Sequence, residues 1–210
     1  MTLVEVTSYI LYSSMITALL YAVINWNHIK NKPELWILIF LLVTTVLDLS
    51  GVYFRLYHGS KLQVFSNLII LISNLILSYW FYKHIKNKVL LFISISTIFL
   101  SFFISAFQQN FLREIFYYAN FIISIILLIN VFFYLYKLLL SDNVVRYNKT
   151  PAFWISIGIV IYQINLVIVF FLIQEKLKLT TNIYFTIITT VSVLLYSSII
   201  YGIKLSKDYE

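Results

Sequence analysis

The chain has 210 residues, of which 61% are hydrophobic and 11% charged, and it carries a formal net charge of +7. Soluble domains carry roughly a quarter charged residues, so these proportions exclude a water-soluble globule and point to lipid as the solvent. The basic excess does not indicate a nucleic-acid partner, because Lys and Arg sit in short clusters between apolar runs, as membrane flanks do.

A spanning helix needs about 20 mostly apolar residues. Seven runs meet that length: Leu3–Trp26, Leu35–Tyr57, Leu62–Ile85, Val89–Phe107, Ile115–Leu140, Pro151–Ile173 and Thr181–Leu205. Met1–Ser8 has no Lys or Arg and no clear small-residue cleavage site. The first run therefore reads as a retained helix, not a cleaved signal. The fourth run is the shortest. The sixth has the clearest start, with Thr150 as a cap and Pro151 at the first helical position, where a missing N–H costs nothing.

The connections are Asn27–Glu34, His58–Lys61, Lys86–Lys88, Gln108–Glu114, Ser141–Thr150 and Gln174–Thr180. All are short and polar, which makes consecutive helices antiparallel neighbours. The expected fold is all-α: one domain over residues 1–210, a polytopic bundle of seven transmembrane helices.

Basic residues give the bundle a direction. Lys30, Lys32, Lys83, Lys86, Lys88, Lys137, Arg146, Lys149, Lys204 and Lys207 fall on one side, ten in all. Arg55, Lys61, Arg113, Lys176 and Lys178, five in all, fall on the other. The bias places the N-terminus out and the C-terminus in. Trp26, Trp36, Trp80 and Trp154 then lie near cytoplasmic helix ends, and Tyr57 and Tyr118 near outer ones, as interfacial belts require. Glu5 and Glu175 read as solvated boundary residues near the outer face.

The informative residues are polar ones inside apolar runs. Asp48 lies near the middle of the second run. An ionised carboxylate at that depth costs at least about 2.5–3.5 kcal/mol, so it must face the bundle interior or water and be paired or protonated. Arg55 follows seven residues later on nearly the same face. It either reaches back toward Asp48 or snorkels to the outer interface. In the third run, Ser66-Asn67 and Ser73-Asn74 repeat at seven residues and put both Asn on one stripe. Gln163 and Asn165 lie near the centre of the sixth run, and Asn120 and Asn130 in the fifth. Each amide alone reads as interhelical glue of roughly 0.6–2 kcal/mol. Together, Asp48, Asn74, Gln163 and Asn165 form one midplane polar layer if the second, third and sixth helices converge.

Several chemistries have no residues to carry them. There is no Cys, so disulfides, thiolate metal sites and Cys nucleophiles are excluded. His28, His58 and His84 sit at helix ends on opposite sides, so no metal or haem cluster can be drawn. There is no mid-helix Lys in the last run, no Gly-rich phosphate loop and no nucleophile elbow. Pro33 and Pro151 both stand at helix boundaries, not in broken helices. No cofactor and no catalytic residue are assigned.

The stretch Thr150-Pro151-Ala152-Phe153-Trp154-Ile155-Ser156-Ile157-Gly158, followed by Tyr162, resembles the penultimate helix of small seven-helix proteins of Bacteroidota, often encoded beside histidine kinases. A composition rich in Ile, Asn, Lys, Tyr and Phe agrees with an AT-rich bacterial genome. The resemblance implies a signalling role and brings no site residues. Physically, Pro151 starts the helix, Trp154 anchors it at the interface and Gly158 permits a close helix approach.

The leading functional expectation is a non-enzymatic sensor or accessory subunit in the inner membrane. A small ligand would bind in the core, and a partner such as a histidine kinase would be contacted through Ser141–Thr150, with Asp142, Arg146 and Lys149. That loop also reads as an ordinary charged connection. A small-solute transporter or channel is the second reading, and an intramembrane enzyme using Asp48 the third.

Overall fold

The computed structural model describes residues 2–58, 63–174 and 181–207. Eight α-helices and one 3-10 helix follow one another among them. They are α1 (Leu3–Ile24), α2 (Trp26–Ile29), α3 (Leu35–His58), α4 (Val64–Ile85), α5 (Lys88–Gln108), α6 (Tyr117–Leu139), the 3-10 helix Asp142–Lys149, α7 (Pro151–Gln174) and α8 (Thr181–Lys207). All except α2 and the 3-10 helix are long and apolar enough to cross a membrane, which gives seven spans. The shortest of these, α5, has 21 residues. At 1.5 Å per residue it is about 32 Å long, matching a hydrocarbon core of about 30 Å.

The helix ends follow local chemistry. Thr2 and Glu5 form a capping box at the start of α1: the Thr2 N–H donates to Glu5 at 2.8 Å and the Glu5 N–H to the Thr2 hydroxyl at 3.3 Å. Glu5 thus stays exposed, as its boundary position implies, and also caps. The first span ends earlier than the apolar run, because the Asn25 amide turns back to the Tyr21 carbonyl at 2.8 Å. Asn87 opens α5 by accepting from the Val89 and Leu90 N–H groups at 3.0 and 3.1 Å. Lys137 of α6 donates to the His84 and Ile85 carbonyls, which the end of α4 leaves without helical partners.

Six spans close a ring in the order α1, α3, α4, α6, α7, α8 and back to α1, with α5 packed outside against α4 and α6. The sequence of α5 explains that place. Its inward stripe is Leu90, Ser94, Ile98, Ser101 and Ser105, all buried. Its other positions carry Phe92, Phe99, Leu100, Phe103 and Phe107, between 52% and 76% exposed, a surface suited to lipid and not to water. The serines Ser94, Ser101 and Ser105 let α5 approach the protein closely, with Leu90 and Ile98 packing between them.

Glycines set the tightest contact, between α7 and α8. A Cβ at Gly158 would sit 3.3 Å from the Leu195 Cα, and one at Gly202 would sit 2.9 Å from the Pro151 carbonyl oxygen. The expected role of Gly158 in close approach is therefore met, and Gly202 serves the same contact from the other helix.

Two expectations need correction. Trp80 is not an interfacial belt residue: it is fully buried, edge-on to Phe81 and His84. Its position near the end of α4 faces the ring interior, where a large ring fills core volume. Thr150 does not cap α7 with its side chain. Its hydroxyl points back to the Arg146 carbonyl at 3.5 Å, drawn by the 3-10 turn in front of it. Trp154 is held near the same end, its indole N–H donating to the Asn148 carbonyl at 2.8 Å.

Candidate functional site

Asp48 lies nine residues before Tyr57, the end of its span; Gln163 lies nine before Leu172; and Asn74 lies ten after Val64. All three ends are on the N-terminal face of the bundle. Each residue is therefore about 14–15 Å inside it. The ring brings α3, α4 and α7 around a common interior, so the three side chains meet one cavity of about 120 Å³. A single buried water needs roughly 10–15 Å³ on this measure, so the cavity has room for several waters or a small molecule.

The cavity is lined by both polar and apolar side chains. Phe40, Leu77, Ile159 and Leu195 line it toward the C-terminal face. Beyond them lies the main apolar core, with Ile37, Leu41, Trp80, Phe81, Leu127 and Ile155 all fully buried. Asp48, Asn74 and Gln163 lie at the midplane, and toward the N-terminal face Asn120, three residues into α6, stands beside the apolar Ile69, Ile70 and Leu166.

Asp48 is half-buried, and its open surface faces the cavity. Among the described residues no side chain forms an ion pair or hydrogen bond with it. Gln163 is 3% exposed and likewise has no hydrogen-bonding partner among them. Asn74 gives its amide N–H to the Ile70 carbonyl, which leaves its carbonyl oxygen for the interior. Thr44 donates to the Phe40 and Leu41 carbonyls at 2.8 and 3.1 Å, and Ser73 donates to the Ile69 carbonyl. Tyr162 and Tyr196 complete the opposite wall.

The other expected site residues are elsewhere. Asn165 does not line the cavity. Its side chain bonds its own helix at the Ile161 carbonyl, 2.8 Å away, because two residues from Gln163 it has rotated well off the inner face. Asn67 is fully buried but serves the α5–α6 connection, donating to the Phe111 and Glu114 carbonyls at 2.9 and 2.8 Å and accepting from the Phe116 N–H at 3.0 Å. Arg55 is exposed near the N-terminal face and forms no ion pair with Asp48, which leaves the snorkelling alternative. Arg146 and Lys149 are exposed on the 3-10 helix. The Asp142 side chain, Lys61, Glu175, Lys176 and Lys178 lie outside the described residues.

Thr44, Tyr162 and Tyr196 were not singled out as cavity residues from the sequence. Thr44 was detectable, standing one helical turn before Asp48 and so on its face. The tyrosines carried no signal beyond the many others in the chain. A second polar group at the C-terminal face was missed altogether. There the Tyr134 hydroxyl and the His84 Nε2 are buried without hydrogen-bond partners among the described residues. The two rings meet edge to face, with centroids 5.7 Å apart. Glu34, 4% exposed, acts electrostatically on Tyr134. Burial pushes the Glu34 carboxyl above the usual glutamate range, against the opposing pull of its own backbone N–H and of Lys32.

Among the described residues, no three His, Asp or Glu side chains gather as a metal site would require. The fold and cavity define an integral, multi-pass membrane protein of seven helices. No family model matches the chain, and no curated protein or solved structure matches it significantly.

Proposed function

We propose that this is a non-enzymatic membrane sensor or accessory subunit whose core binds a small polar ligand and whose C-terminal face passes the resulting helix shift to a partner. The supporting observation is the Asp48 cavity. It is a midplane pocket whose Asp48 and Gln163 have no hydrogen-bonding partner among the described residues, floored by packed apolar side chains toward the C-terminal face. Buried polar groups ordinarily have hydrogen-bonding partners, so a cavity that leaves Asp48 and Gln163 without partners among the described residues calls for a ligand or ordered water. The apolar floor argues against the alternative of a transporter or channel, which needs a continuous polar path. An enzyme would need a second acid, base or metal ligand beside Asp48, and Tyr162 and Tyr196 are weak acids for that role.

The basic bias puts the cavity toward the outer side of an inner membrane and the Ser141–Thr150 segment toward the cytoplasm. Arg146 and Lys149 there offer charge to a signalling partner such as a histidine kinase.

The chain has no native cysteine, so cysteine labelling gives a clean test. Single cysteines replacing Asn120, Gln163 and Leu77 would be exposed to a membrane-impermeant maleimide from each side in turn. The expected result is labelling at Asn120 and Gln163 from the outer side only, with protection at Leu77 from both. Labelling of Gln163 from both sides, together with solute flux in proteoliposomes, would replace the sensor with a transporter.

A further inference from the structure

We infer that the ligand of the Asp48 cavity is a small monovalent cation carrying N–H donors, an ammonium group. This rests on the proposal above that the cavity binds a ligand, and it adds the chemical class.

The argument is one of counting protons on the α3–α4 wall. The Thr44 hydroxyl hydrogen is committed to the carbonyls of its own helix, and the Ser73 hydrogen to the Ile69 carbonyl. The Asn74 amide commits one of its two N–H groups to the Ile70 carbonyl. A hydroxyl whose hydrogen is spent on its own backbone can offer only lone pairs. Thr44 and Ser73 therefore present acceptors only, as does an ionised Asp48, and Asn74 presents its carbonyl oxygen beside one remaining N–H. That wall has one N–H to give an anion or a carbonyl oxygen, against acceptors on all four residues. It is built to receive donors.

Charge points the same way. Among the described residues, no Lys, Arg or His lines the cavity, so Asp48 is its only ionisable acid or base other than tyrosine. A buried carboxylate requires a counter-charge or donors; among the described residues no cation lines the cavity and no side chain donates to Asp48. An ammonium supplies both, through three N–H groups and one positive charge. The facing wall adds the rings of Tyr162 and Tyr196, and Phe40 adds a third, all surfaces that attract a cation. Gln163 retains both donor and acceptor capacity and suits a hydroxyl or second polar atom on the same small molecule.

The test is a thermal-shift titration of the full chain in detergent with ethanolamine hydrochloride at neutral pH. The comparison probes are ethylene glycol as a neutral counterpart, sodium acetate as an anion and sodium chloride at matched ionic strength. Saturable stabilisation by ethanolamine alone is expected. Asp48→Asn removes a membrane-buried charge at nearly constant shape, so it should fold. Loss of a charge-assisted hydrogen bond predicts roughly a tenfold or greater weakening of ethanolamine in that variant. Thr44→Val, which removes one acceptor, should weaken it by less. Equal stabilisation by ethylene glycol or acetate would overturn the cation assignment while leaving the ligand-binding reading intact. Equal stabilisation by sodium chloride, or ethanolamine binding unchanged in Asp48→Asn, would also overturn it. Absence of stabilisation by every probe would remove both the cation assignment and the ligand-binding reading beneath it.

Discussion

The Asn67 carbonyl oxygen accepts the Phe116 backbone N–H at 3.0 Å, and this bond ties α4 to the start of α6 across 49 positions of sequence. The same amide donates to two carbonyls of the intervening loop. One fully buried side chain thus satisfies three backbone groups that have no helix to satisfy them. Asn67→Ala leaves two carbonyls and an N–H unpaired. Each buried orphan costs about 1–3 kcal/mol, so the variant should lose several kcal/mol of stability. Asn67→Asp should be worse, because it aims a second acceptor at two carbonyls. Thermal unfolding in detergent would show both losses. A near-normal melting temperature for Asn67→Asp would contradict the assigned bonds.

Asn67 also shows where sequence reasoning stops. It stands seven residues from Asn74, and the two share a helical stripe. Yet one is a clamp for a loop and the other lines the cavity. Nothing local separates them, because the deciding fact is where the Phe111 and Glu114 carbonyls end up. The spans themselves were legible, since hydropathy over twenty residues depends on lipid and not on neighbours. Asp48 was legible for the same reason, as a residue that lipid forbids. The order of helices around the ring was not. Trp80 near a helix end reads equally well as belt or core until the ring closes around it. The inward face of α5 went unread, although Ser94, Ser101 and Ser105 at seven- and four-residue spacing mark one stripe and the structure buries all three.

That serine face makes one contact open to measurement. The Asn130 amide donates to the Ser94 hydroxyl at 2.9 Å, and both residues are buried between α5 and α6. Hydrogen bonds between membrane helices average about 0.6 kcal/mol and reach about 1.7. A double-mutant cycle with Ser94→Ala and Asn130→Ala should return a coupling in that range. Since α5 stands outside the ring, cavity binding should survive both changes. A zero coupling would mean that α5 is held by packing alone.

The α7–α8 contact gives a sharper result. A Cβ at Gly202 would meet the Ile155 Cγ1 at 2.6 Å and the Pro151 carbonyl at 2.9 Å. The Ile155 side chain can rotate, but the carbonyl cannot retreat without moving the helix. Gly202→Ala should therefore destabilise by about 1–3 kcal/mol, the range for overpacking. Gly51 is the control. Its nearest neighbour would be the Phe65 Cβ at 3.4 Å, an ordinary contact, so Gly51→Ala should be neutral or gain up to about 1 kcal/mol from helix propensity. Equal melting temperatures for the two variants would refute the close approach.

The buried Glu34 carboxyl predicts a pH dependence. Its value in the fold is raised above the ordinary 4.5, chiefly by burial. The folded state therefore holds a proton that the unfolded state has released, and stability falls as pH rises through that interval. The favourable contribution is complete below the ordinary value and is lost by the raised one. Glu34→Gln mimics the protonated form at every pH. Its melting temperature should vary less over the weakly acidic range and should exceed that of the wild type at neutral pH. At pH values below 4 the two proteins should converge in their dependence, because Glu34 is then protonated in both states. The comparison is a pair of melting curves recorded across pH in one detergent. A wild type that gained stability relative to Glu34→Gln on going from pH 5 to 7 would reverse the sign, and Glu34 would then be paired in the fold and not merely buried.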